Sequence, residues 1–248
     1  MSLGARSIGA LAAAMLLAAG GVAAEGITEQ QADDILNELR AIRRVLERQQ
    51  EPEQPQARPP ADQKVSIEFA PGGYSLGRAD APVVMVEYAD YQCPFCRQYH
   101  QTTFEQIKRN YVDTGRVRYV SRDFPLAFHE HARGAALAAR CAGEQGRFWE
   151  LRHAMIANAN QVKAENIFAY AGDLGLDMDR FRGCLESGRY GEKVERDVAE
   201  GRAAGVSGTP SFVLGRLNGD RLEGIRIVGA MPYQAFASRL EEAIEQSR

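Results

Sequence analysis

The chain has 248 residues, 45% of them hydrophobic and 25% charged, with a formal net charge of -3. That length accommodates one ample domain with additions, or two small ones. The mildly acidic balance, with no basic face declared, excludes nucleic acid as the expected partner, and four cysteines are too few for a disulfide scaffold on count alone.

Residues 1–24, MSLGARSIGALAAAMLLAAGGVAA, carry one positive charge at Arg6, an apolar core from Ile8 to about Ala19, and a small-residue end at Val22, Ala23 and Ala24. This order reads as a secretory signal peptide cleaved after Ala24. An uncleaved anchor is the other reading, but the run is rich in alanine and glycine and barely reaches spanning length. Cleavage places the mature protein in an oxidising space outside the cytoplasm, expected to be the periplasm, where cysteines pair.

Residues 27–50 contain no glycine or proline and are rich in good helix formers. Ala32, Ile35, Leu39, Ile42 and Leu46 follow the alternating three- and four-residue spacing of a heptad seam, with charged residues on the other faces. Thr28 is the expected N-cap. A lone helix of this length is marginal in water, so the seam needs a partner. The main domain could supply one, as could further copies in a two- or three-stranded coiled coil. Residues 51–62 hold four prolines and read as a stiff linker that keeps the helix away from the domain. Residues 25–50 are therefore taken as an oligomerisation helix giving a dimer or trimer.

From residue 63 to the end, α and β patterns alternate. Residues 65–69, VSIEF, alternate like a strand, and residues 81–89, APVVMVEYA, form the near-continuous apolar run of a strand buried on both faces. A helix is predicted over 94–113, with Tyr99, Phe104, Ile107 and Tyr111 on one side. Residues 116–124 read as a strand ending near Pro125. A helix-rich block spans about 131–204, broken by glycines. Residues 211–217 and 224–230, around a turn at Asn218-Gly219, read as a β-hairpin. The last seventeen residues read as an amphipathic helix with Pro232 in its first turn. The sequence shows no internal repeat.

Chemistry concentrates in EYADYQCPFCRQYH, residues 87–100. Zinc needs about four convergent ligands, and the other cysteines, Cys141 and Cys184, each stand alone. A static disulfide between Cys93 and Cys96 would close too small a loop to restrict the unfolded chain much. A reversible redox pair fits the local arrangement. Pro94 suits a first helical turn, which puts Cys93 at a helix N-terminus, where free N–H groups and the dipole favour a thiolate. Cys96, one turn deeper, is the expected resolving thiol. Glu87, six residues before Cys93, is a carboxylate in an apolar run. It reads either as a partly solvated strand end or, preferably, as a buried acid that accepts and returns the Cys96 proton. Far downstream, in GVSGTPSFVL, Thr209 and Pro210 lead directly into a strand.

The order strand, CxxC, helix, then Thr-Pro before a terminal hairpin and helix resembles the thioredoxin superfamily. LGRADAPVVMVEYADYQCPFCRQYH, ARCAGEQGRFWELRH, FRGCLESGRY and GVSGTPSFVL resemble its DsbA-like branch of secreted thiol–disulfide oxidoreductases, from about Tyr74 to the C-terminus. The resemblance implies an α/β thioredoxin fold with a helical insertion at about 126–190. It implies a cis Pro210 packed on the Cys93–Cys96 pair, Thr209 backbone groups offered to an extended substrate, and a membrane redox partner. Arg122 could pair with Glu87 or be solvated at a strand end. The active-site dipeptide is Pro94-Phe95, where the best-known member has histidine in the second position. Phenylalanine can offer the thiolate neither a hydrogen bond nor a charge, so a milder oxidant is expected.

Cys141 and Cys184 fall in separate helices of the insertion. They are expected to form a structural disulfide, as the resembling branch often does there; a free buried pair or a second redox couple is the alternative. His129 and His131 read as the polar approach to a helix rather than a metal site, and His100 as a surface helix residue. Phe148 and Trp149 are core candidates. No metal or cofactor is expected, since the cysteines carry the electrons. The expected function is formation or isomerisation of disulfides in unfolded or misfolded secreted proteins. The heptad seam favours isomerisation more than the active-site residues do. The alternative is a non-catalytic secreted chaperone or metal-handling module on the same fold.

Overall fold

The computed structural model describes residues 28–50, 62–69 and 73–247. The chain divides into units of residues 1–58 and 59–248. The signal-peptide reading, most of the proline linker and the Leu46 side chain lie outside the described residues. In the first unit, α1 runs from Glu29 to Gln50. Thr28 caps it: its hydroxyl accepts from the Gln31 N–H at 3.2 Å, while the Gln31 side chain accepts from the Thr28 N–H at 3.0 Å. The two bonds satisfy two orphan donors reciprocally. Ile35, Leu36, Leu39 and Ile42 are all exposed large hydrophobic residues.

In the second unit every residue of β3, Val83–Ala89, is buried, which is why its sequence reads as an unbroken apolar run. It forms the middle of a six-stranded sheet of order β1-β6-β5-β3-β4-β2. The other strands are β1 (Gln63–Glu68), β2 (Tyr74–Leu76), β4 (Val117–Asp123), β5 (Ser211–Asn218) and β6 (Arg221–Val228). β3 pairs parallel with β4 and antiparallel with β5, placing Glu87 opposite Ser121 on one side and Phe212 on the other. The short β2 carried no strand signal of its own in sequence.

Helix α2 (Pro94–Tyr99) follows β3 and continues through a π-helical segment His100–Phe104, a turn α3 (Glu105–Ile107) and a second π segment Lys108–Val112. Tyr99, Phe104, Ile107 and Tyr111 are all buried, as the predicted helix face requires. They pack with Val83, Met85, Tyr119, Phe212 and the C-terminal helix α9 (Tyr233–Glu245) over one sheet face. Val84, Val86 and Tyr88 point to the other face, with Val198 of α8 (Gly191–Ala203) and Phe124. Between β4 and β5, α4 (Ala132–Gly143), α5 (Phe148–Ala157), α6 (Ala164–Asp173) and α7 (Met178–Ser187) precede α8. These four build their own apolar cluster around Ala139, Phe148, Leu151, Met155 and Phe181. The fold is the expected thioredoxin type with inserted helices.

Two boundaries differ from expectation. Asn218 still pairs with Arg221, so the hairpin loop is Gly219-Asp220, one residue later than the Asn-Gly signal suggested. Gly219 takes the left-handed conformation there, at φ 64°. Pro232 is the N-cap of α9 rather than a first-turn residue. Cys141 and Cys184 are joined in a disulfide linking α4 to α7.

Candidate active site

β3 ends at Ala89, and the chain turns through Asp90-Tyr91-Gln92 into α2. That turn is pinned by side chains. Asp90 accepts from the Gln92 N–H and the Leu126 N–H, each at 2.7 Å, and its Oδ2 also lies 2.9 Å from His129 Nδ1. Gln92 accepts from the His131 N–H at 2.9 Å. The two histidines thus anchor the loop after β4 to the loop before α2. Among the described residues no group of three or more His, Cys, Asp or Glu is arranged to hold a metal ion.

Cys93 is the N-cap of α2, with extended backbone, and Pro94 takes the first helical position. Its Sγ lies 3.3 Å from the Thr209 carbonyl oxygen, to which the thiol donates. The Thr209–Pro210 bond is cis and brings that carbonyl alongside the cysteine, immediately before β5. Cys93 and Cys96 are both free thiols and both buried, at 3% and 0% exposure. Phe95 between them is 59% exposed, so an apolar side chain faces solvent beside the nucleophile.

The two thiols are driven apart electrostatically. The Cys93 pKa falls to about 6. The largest cause is a hydrogen bond from the Cys96 thiol; the Thr209 side chain and the N–H groups of Cys96 and Phe95 lower it further, against burial. The Thr209 hydroxyl is buried with no other partner, which leaves it available to the thiolate. Helix N-terminal N–H groups therefore contribute as expected, but behind the neighbouring thiol. Cys96 is pushed well above its ordinary value, chiefly by burial, then by its bond to Cys93 and the Glu87 charge. At neutral pH the arrangement holds a thiolate at Cys93 and a thiol at Cys96.

Glu87 is fully buried, so the solvated strand-end reading does not hold. Its partners also differ from those expected. Arg122 reaches away from it to Glu200 at 3.1 Å and Asp197 at 3.7 Å. Arg152, from α5, supplies the cation instead, through a direct ion pair with Glu87, while its Nε donates to Ser121 at 3.1 Å. The reason is register: strand alternation sends Arg122 to the α8 face, whereas Glu87 and Ser121 share the other. Tyr119 also donates to Glu87, and His100 lies 3.1 Å from it. Burial raises the Glu87 pKa, but Arg152, His100 and Tyr119 together overcome it and hold the carboxyl at about 2. A carboxylate so stabilised is a weak base.

His100 is a second correction. It is buried rather than a surface residue, because α5 covers the helix face one turn beyond Cys96. Arg152 was missed, yet its signal was present: it shares an apolar helix face with Phe148, Leu151 and Met155 of α5, all buried. An arginine in such a stripe needs a buried acid, and Glu87 was the candidate in view.

Known proteins share the fold that carries this site. The family model described as thioredoxin matches residues 70–224, more than half of the chain. Among curated proteins, the Na(+)/H(+) antiporter NhaA 3 of Salinispora tropica is 40% identical over 166 residues, covering 65% of this chain and 24% of its own. The NhaA antiporter of Herminiimonas arsenicoxydans is 34% identical over 191 residues, covering 77% and 27%. The chain thus spans about a quarter of the length of these relatives. Among solved structures, Wolbachia pipientis α-DsbA1 superposes with a TM-score of 0.63 at 24% identity, covering 72% of this chain and 94% of that one. Oxidised BdbD from Bacillus subtilis gives 0.63 at 21%, covering 74% and 100%. Both show the same fold.

Proposed function

Starting from a chain that belongs to the thioredoxin family, we propose that it is a periplasmic thiol–disulfide oxidoreductase acting on secreted proteins through Cys93 and Cys96. One observation carries the reading: a cysteine at a helix N-terminus, with its pKa lowered to about 6, stands directly over a buried, protonated partner cysteine. Such a separation suits thiol–disulfide exchange, where the thiolate attacks and the resolving thiol waits.

In the oxidising direction a substrate thiolate attacks Cys93 of the Cys93–Cys96 disulfide. A Cys93–substrate bond forms and Cys96 leaves with the electron pair, then gains a proton. A second substrate thiolate attacks the substrate sulfur of the mixed disulfide, and Cys93 departs as a thiolate. Two electrons have moved from the substrate to the enzyme. Starting from reduced enzyme, Cys93 attacks a wrong substrate disulfide, and the substrate's own thiol resolves it in a new pairing. Thr209, with a carbonyl beside Cys93, would hold the substrate backbone in extended form, and Pro210 would keep that carbonyl in place. Unfolded or misfolded secreted proteins are the proposed substrates, a membrane redox partner resets the pair, and α1 assembles a dimer or trimer. Among the described residues no helix is long and apolar enough to cross a membrane.

The test is oxidation of a reduced, unfolded protein by the oxidised chain, followed by loss of free thiols. Stoichiometric oxidation that disappears in Cys93→Ala is expected. Retention of all biological function in Cys93→Ala would transfer the reading to a binding module.

A further inference from the structure

Cys96 is fully buried, yet whenever it attacks a mixed disulfide its proton must leave, and whenever it is expelled a proton must return. Glu87 is ill placed for the task, since Tyr119, Arg152 and His100 all bond it. His100 has three features that suit it. It lies one helical turn after Cys96, and its N–H donates to the Cys96 carbonyl, so the two side chains share a helix face. Its Nε2 sits 3.1 Å from Glu87 Oε1 and 3.1 Å from Arg152 Nη1. One nitrogen cannot serve both together: unprotonated it accepts from Arg152, and protonated it donates to Glu87. Both states find a partner without rearrangement. Finally, His100 and Arg152 line an open pocket of about 450 Å³, together with Leu76, Phe104 and Trp149.

We propose that His100 is the proton carrier for Cys96, exchanging that proton with water in the pocket while Glu87 and Arg152 hold the ring. The inference rests on the redox reading of Cys93 and Cys96. When reduced enzyme resolves a mixed disulfide, the Cys96 proton passes to the neutral imidazole. The Cys96 thiolate then forms the Cys93–Cys96 bond. The Cys93–substrate bond breaks, and the substrate sulfur leaves as a thiolate with the electron pair. The imidazolium releases its proton to the pocket. Oxidation of substrate runs the same proton backwards.

Burial keeps the ring neutral at rest by lowering its pKa; Glu87 opposes this, and Arg152 and His153 add to it. The other groups that face it are Tyr99, whose ring meets it edge-on, Tyr119, through Glu87, and the pocket residues Glu105, Lys108 and Glu150.

A chromogenic symmetrical aryl disulfide tests this, because reduced enzyme releases one arylthiolate when Cys93 attacks and a second when Cys96 resolves. In the wild type the second rate is expected to rise with His100 deprotonation below pH 6.5 and then level off through pH 8. A rate that climbs tenfold per pH unit across that range would mean that Cys96 ionises without a carrier, and would overturn the proposal. In His100→Gln the second step is expected to slow about tenfold or more and to acquire that steep climb, with the effect confined to this step. His100→Ala is expected to regain rate on addition of imidazole, for which the pocket has room. Equal second-step rates and profiles in wild type and His100→Gln would remove His100 from the reaction while leaving the enzyme reading intact. Failure of the wild type to release even the first arylthiolate would defeat the enzyme reading itself.

Discussion

Cys93 loses its proton near pH 6 against an ordinary value of 9.0, and this has a definite sign in the redox balance. A lowered pKa stabilises the reduced protein; the effect is complete above the ordinary value and lost as pH falls through about 6. At pH 7 it amounts to about 1.4 kcal/mol, which for a two-electron couple makes the disulfide about 30 mV more oxidising than one with an ordinary nucleophile. That fits the mild oxidant expected from Phe95. The Thr209 hydroxyl is one of the groups responsible, so Thr209→Val is expected to raise the Cys93 pKa by about one pH unit, the worth of roughly 1.5 kcal/mol for a hydrogen bond to a charged group. Thiolate absorbance during titration reads this directly, and an unchanged midpoint would release Thr209 from the role. Arg152 makes a harsher prediction. Arg152→Met leaves the Glu87 carboxylate buried without its cation, at a cost of about 3–5 kcal/mol in denaturant unfolding. Adding Glu87→Gln should recover part of the loss. Glu87 also sets an acid limit: with its folded pKa depressed to about 2 from 4.5, its stabilisation is present above 4.5 and drains away as pH falls from there through 2.

The helices show what sequence can and cannot disclose. β3, the 94–113 helix face and the β5–β6 hairpin were legible because each is a local pattern: an apolar run, a helical stripe, a two-residue turn. CxxC and Thr-Pro were legible because their chemistry requires those residue types. The partners of Glu87 were not, since Arg152 lies 65 residues downstream on a helix whose packing against α2 no local pattern states. β2 is three residues long, too short for periodicity to show. The disulfide between α4 and α7 lies between these cases, since pairing was expected but its location depended on the two helices meeting. It spans 43 residues, for which loop-closure entropy gives a stabilisation of about 4 kcal/mol. Replacing Cys141 and Cys184 with alanine together is expected to lower unfolding stability by roughly 3–4 kcal/mol and leave the Cys93 titration unmoved. A shifted titration would make the second pair part of the redox chemistry instead.

At the scale of the molecule, the direction of the chemistry depends on more than the active site. A thiolate at Cys93 can serve oxidation or reshuffling equally, because both begin at the same sulfur. What separates them is how long a substrate is held, and a chain that assembles presents several such sites together, which raises the local concentration of thiolate around a trapped substrate. The segment that would assemble it is α1, whose Ile35, Leu39 and Ile42 are all exposed at heptad spacing; a helix of 22 residues with such a seam is marginal alone and stable in a coil. Placing glutamate at all three positions puts like charges across that seam. Sedimentation is expected to show the wild type as dimer or trimer and the triple variant as monomer, with Cys93 titrating alike in both. Given a scrambled, inactive disulfide substrate, the reduced wild type should recover activity and the variant should recover several-fold less. Oxidation of a reduced substrate should proceed in both, since it needs one site only. Equal recovery by monomer and oligomer would make the active site alone sufficient for isomerisation and leave α1 to another task. No recovery by either, with oxidation intact, would make the protein an oxidase.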